Sequence, residues 1–83
     1  EALNQGGNMP CVLNAANEVV VAAYLNDQIG FLEMSDVIEQ VMSRMAFISQ
    51  PSYEDYVACD REARILTTEF LRRKFLYRAK QKS

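Results

Sequence analysis

The stretch Asn8-Met9-Pro10-Cys11-Val12-Leu13-Asn14-Ala15-Ala16-Asn17-Glu18-Val19-Val20-Val21-Ala22-Ala23-Tyr24-Leu25 decides how this chain folds. Taken alone, Val19-Val20-Val21 suggests a strand, because β-branched side chains suit a pleated backbone. Its surroundings favour a helix. Ala15, Ala16, Ala22 and Ala23 are strong helix formers, Asn8 can act as an N-cap, and Pro10 falls in the first turn, where a missing N–H costs little. Leu13, Ala16, Val20 and Ala23 or Tyr24 recur at the spacing of a buried helical stripe, while Val12, Val19 and Val21 carry apolar character further around the cylinder. The stretch therefore reads as a central helix ending near Leu25 or Asn26 and surrounded by partners.

Working outward, Glu1 to Gln5 followed by Gly6-Gly7 reads as the last turn of a truncated helix closed by glycine. After the central helix, Asn26-Asp27-Gln28 and Gly30 break the pattern. Ile29, Phe31 and Met34 then fall in a short connection expected to fold back on the core. Ser35 is the predicted N-cap of a second helix, with Asp36 in its first turn and Val37, Ile38, Val41, Met42 and Met45 as its apolar face. Ser49-Gln50-Pro51 ends that segment. Ser52-Tyr53-Glu54-Asp55 resembles a capping box, and Tyr56, Cys59, Ala63, Leu66, Phe70 and Tyr77 continue as one stripe interrupted at Arg73. A long third helix, frayed after Phe75, is the expectation. The predicted fold is all-α: one domain over residues 1–83, a small bundle of three main helices plus the stub of a truncated fourth.

Composition limits the chemistry. The 83 residues are 49% hydrophobic and 24% charged, with three glycines and two prolines, as in a folded domain rather than a linker. There is no histidine, so the usual neutral-pH base and commonest metal ligand are missing. The formal net charge is −2, yet Arg44 is the only basic residue before Arg61 and the others crowd the end. That basic end complements a helix dipole and keeps an exposed terminus solvated. A nucleic-acid surface is the sharper alternative, but stacking aromatics do not interleave with the charges. Cys11 and Cys59 form no Cys-x-x-Cys motif and read as small buried apolar residues in a reducing compartment. No run approaches the ~20 apolar residues of a membrane span. Cytoplasmic localisation without membrane or nucleic-acid partners is expected.

The most unusual local feature is Asn14, Asn17 and Glu18, which share one face of the apolar central helix at i, i+3 and i+4. They could grip a loop backbone or polar ligand, with Glu18 as acid or base. A lone carboxylate is weak ground for catalysis, and the structural reading has the amides hydrogen-bonded to neighbouring backbone and Glu18 at the surface or a domain interface. Glu54, Asp55, Asp60 and Glu62 match no calcium-loop spacing, so a metal site is not expected. Met9, Met34, Met42 and Met45 read as core filling. Gly6-Gly7 lack the spacing of a dinucleotide fingerprint and read as turn formers.

At Asn14-Ala15-Ala16-Asn17-Glu18 the chain resembles the C-terminal helical domain of the 1-deoxy-D-xylulose-5-phosphate reductoisomerase family. Gly6-Gly7, Ala22-Ala23-Tyr24-Leu25, Ile29, Phe31 and Met34 follow the family order, and Ser52 to Arg64 resembles its later acidic stretch. Tyr24, Val20 and Cys59 depart mildly from it, and nothing beyond Phe70 matches. The resemblance implies a parent enzyme of the non-mevalonate isoprenoid route that uses NADPH and a divalent metal, Mg or Mn. In the family those groups are held by the nucleotide-binding and catalytic domains, so no catalytic, cofactor or metal position transfers to this chain. Its expected partners are those missing domains. Alone it should be inactive and self-associating, with Asn14, Asn17 and Glu18 as candidate domain-interface residues. A free-standing helical interaction module with a basic end is the competing reading.

Overall fold

The computed structural model describes the backbone of residues 6–82 and the side chains of residues 6–74. Three helices follow in order: α1 (Met9–Leu25), α2 (Phe31–Arg44) and α3 (Tyr53–Lys82). The described residues contain no strand. The expected stub at Glu1 to Gln5 and the Tyr77 side chain lie outside the described residues.

α1 begins after Asn8 with Pro10 in its first turn, as the sequence predicts. It ends by a different device from a glycine stop. Gln28 N–H donates to Ala23 O at 2.9 Å and Asp27 N–H donates to Tyr24 O at 3.0 Å, the two bonds of a Schellman motif, with Asp27 in the left-handed region at φ 60°. The chain then reverses into α2, and Tyr24 meets Phe31 edge to face at 6.1 Å across the turn.

α2 starts four residues before the predicted Ser35 cap. Gly30 is the N-cap, and its N–H donates to Glu33 Oε1 at 2.8 Å. Glu33 stands at the position from which a carboxylate reaches back to the cap and also complements the helix dipole, so this start prevails. Phe31 and Met34 are therefore helical. Met34 packs against the core, but Phe31 is 70% exposed instead of folding inward.

The capping box of α3 forms as read. Ser52 N–H donates to Asp55 Oδ2 at 3.0 Å, and Asp55 N–H donates to Ser52 Oγ at 3.1 Å. Helical backbone continues to Lys82, past the point where fraying is expected. Arg73, the break in the apolar stripe, lies over the Phe70 ring at 5.7 Å, and Arg44 lies over the same ring at 5.5 Å, so cation–π contact replaces an aliphatic one.

Contacts advance together along α1 and α3: Cys11 with Tyr56, Glu18 with Arg64. These two helices run in the same direction and pack directly on each other, and α2 lies alongside both in the opposite sense. The core they enclose includes Val12, Ala15, Ala16 and Val20 of α1, Val37 and Val41 of α2, and Cys59, Ala63 and Phe70 of α3. Each fully buried valine contributes about 2 kcal/mol of transfer free energy, and the alanines let the helix backbones approach closely. The buried stripe of α1 is rotated from the predicted one. Val12 and Ala15 join Ala16, Val20 and Ala23 inside, while Leu13 is half-buried and Tyr24 is 39% exposed.

Candidate functional site

Rotation of α1 onto Val12, Ala15 and Ala16 turns Asn14, Asn17 and Glu18 outward, and all three are exposed. Among the described residues, neither the Asn14 nor the Asn17 side chain makes a hydrogen bond to neighbouring backbone. Glu18 is different. Its Oε1 accepts a 2.8 Å ion pair from Arg64 Nη2, while Arg64 Nε donates to Asp60 Oδ2 at 2.9 Å, one turn earlier on α3. The two carboxylates, Asp60 first and Glu18 second, push the Arg64 pKa above its usual range. Glu18 thus ties α1 to α3 across the surface, and its carboxylate is held by a cation rather than poised as an acid or base.

The other candidate carboxylates do not converge. Asp55 accepts from the cap backbone, Asp60 belongs to Arg64, and among the described residues no three His, Cys, Asp or Glu side chains gather as a metal site would require. A groove of about 620 Å³ opens between α1 and α3, lined by Glu18, Val19, Ala22, Arg64, Leu71 and Arg72. Its apolar floor and paired charges offer surface for packing.

One functional side chain reads differently in sequence. Asn8 occupies the N-cap position of α1, yet its side chain caps nothing. It is fully buried: its Nδ2 donates to Ala46 O at 2.8 Å and to Cys59 Sγ at 3.1 Å, and its Oδ1 accepts from Ile48 N–H at 2.7 Å. It pins the α2–α3 connection to the start of α1. Cap residues and buried pins are the same residue types, so only partners distant in sequence distinguish them. Cys59 is buried and Cys11 half-buried, both as free thiols. Burial foremost, then the Asp60 and Cys59 charges, raises the Cys11 pKa.

Comparison with known proteins places this geometry. The family profile described as "DXP reductoisomerase C-terminal domain" matches residues 1–66. A 1-deoxy-D-xylulose 5-phosphate reductoisomerase of Bacteroides thetaiotaomicron is 62% identical over 71 residues, covering 86% of this chain and 18% of that protein. The enzyme of the same name from Halothermothrix orenii is 48% identical over 69 residues, again covering 18% of the relative. Among solved structures, the reductoisomerase from Zymomonas mobilis in complex with NADPH superposes with a TM-score of 0.76 at 40% identity, covering 86% of this chain and 19% of that one. The chain thus spans about a fifth of its relatives' length. With four-fifths of its residues inside the profile and the matching helical fold, the chain belongs to the DXP reductoisomerase C-terminal domain family.

Proposed function

We propose that residues 1–83 form the structural C-terminal domain of a cytoplasmic, NADPH-dependent reductoisomerase that converts 1-deoxy-D-xylulose 5-phosphate to 2-C-methyl-D-erythritol 4-phosphate in non-mevalonate isoprenoid synthesis. The domain supports the catalytic portion without touching substrate. In this reading NADPH supplies reducing equivalents and a divalent metal, Mg or Mn, supplies Lewis acidity, both on parts of the polypeptide outside this chain. Neither group fits the described residues. Gly6 and Gly7 form a tight turn with Gly7 against Ile48, and among the described residues no three acidic side chains gather.

The observation that carries this reading is the pair of exposed amides of Asn14 and Asn17, bonded to no other described residue, on a helix with a single charged residue. Such a face suits an internal interface, where small displacements are costly to catalysis. The test compares Asn17→Ala in the whole enzyme and in this domain. We expect reduced turnover with little change in the domain's denaturant midpoint. A domain loss on the order of 2 kcal/mol would point to an internal network instead.

A further inference from the structure

We propose that the outward line of α3 is a self-association surface, pairing antiparallel with the same line of a second copy of this chain. Ala58, Glu62, Ile65, Glu69 and Arg72 follow one another at alternating spacings of four and three, which sets them on one line of the helix. All five are exposed. Ile65, at 56%, forms an apolar ridge between the two carboxylates. Because helical backbone continues to Lys82, the same line runs on through the positions of Leu76 and Lys80. Glu62, Ile65 and Glu69 border α2, where they line a shallow depression of about 470 Å³ with Arg44 and Met45, rather than the groove against α1. A pairing here leaves the candidate interface on α1 to the rest of the parent protein.

Charge identifies the occupant. The line is acidic in its first half, at Glu62 and Glu69, and basic in its second, at Arg72 and Lys80; no acidic residue follows Glu69. Among the described residues no cation pairs with Glu62 or Glu69. Arg64 is held by Glu18 and Asp60, while Arg44 and Arg73 lie over the Phe70 ring. A second copy laid parallel would set like charges against each other. Laid antiparallel about a two-fold axis between Glu69 and Arg72, it sets Glu69 against Arg72 of the second copy, Ile65 against Leu76, and Glu62 against Lys80. Each match occurs twice, as a closed isologous contact requires. The exposed ion pairs fix direction and register more than they add affinity, so the association is weak and sensitive to salt.

The test mixes isotopically labelled and unlabelled copies of the full-length parent protein carrying a diazirine side chain at Ile65. Photolysis should join position 65 of one copy to the neighbourhood of Leu76 in another, read by mass spectrometry as crosslinked peptides that combine the two isotopes. Glu69→Lys should lower that yield at least about tenfold, and Glu69→Lys with Arg72→Glu should restore it, because the swap exchanges the two charges without removing the match. Crosslinks to position 65 of the second copy, to another region of it, or only within one chain overturn the proposal. So does the absence of any crosslink, or a yield that ignores both charge variants. The same side chain at Glu62, which should reach the neighbourhood of Lys80, repeats the measurement if the Ile65 variant does not fold.

Discussion

Asn8 Nδ2 lies 3.1 Å from Cys59 Sγ, which joins the first residue before α1 to the buried face of α3 across 51 positions of sequence. The same amide also holds Ala46 O and Ile48 N–H, so a single side chain organises the place where all three helices meet. Asn8→Ala takes the partner from these part-buried backbone groups and empties a fully buried site. Chemical denaturation should show a loss of about 3 kcal/mol. A loss below about 1 kcal/mol would mean that water replaces the amide without penalty.

Gly7→Ala should cost more than Gly6→Ala. Both positions have positive φ, which alone costs roughly 1 kcal/mol for alanine. Only at Gly7 does the added Cβ also strike backbone, at Ile48 O. Denaturant midpoints of the two variants decide the matter, and equal losses would show that the α2–α3 connection yields freely.

Asp27→Gly should stabilise the chain. The aspartate holds a left-handed conformation at the C-terminal end of α1, where glycine is unstrained and a negative charge opposes the helix dipole. A gain of about 1 kcal/mol corresponds to a rise in Tm of roughly 5 °C for a domain of this size. No rise in a thermal scan would place the turn's strain elsewhere.

Cys11 should resist alkylation until the pH exceeds the usual thiol range, because burial and neighbouring negative charge raise its pKa. The folded state therefore holds the thiol proton more tightly than the unfolded state. The matching stability is full below the unfolded thiol pKa and declines as pH rises through the folded value. Iodoacetamide kinetics against pH, compared with the denatured chain, measure the displacement. Coincident profiles would remove it.

The isolated chain should self-associate. Leu25, Phe31 and Leu32 at the α1–α2 turn are 73%, 70% and 83% exposed, a cluster of large apolar side chains that a monomer rarely leaves uncovered. Sedimentation across a concentration range should show mass rising with concentration. A constant monomer mass would show that water tolerates this tip.

Helix content, the start of α1 and the Ser52–Asp55 cap of α3 were legible in sequence, because periodicity and capping act over three or four residues. Asn14 and Asn17 stood out for the same local reason, two amides within an apolar helix. The start of α2 misled: Ser35 reads as the cap, but Glu33 bonding back to Gly30 starts the helix earlier. The inward face of α1 was beyond local reasoning. A helix apolar nearly all round has no preferred side until neighbours choose one, and α2 and α3 chose Val12, Ala15, Ala16 and Val20. Tertiary structure alone also paired Glu18 with Arg64 across 46 positions and turned Asn8 from a cap into a pin, since both depend on which distant groups packing brings within hydrogen-bond reach.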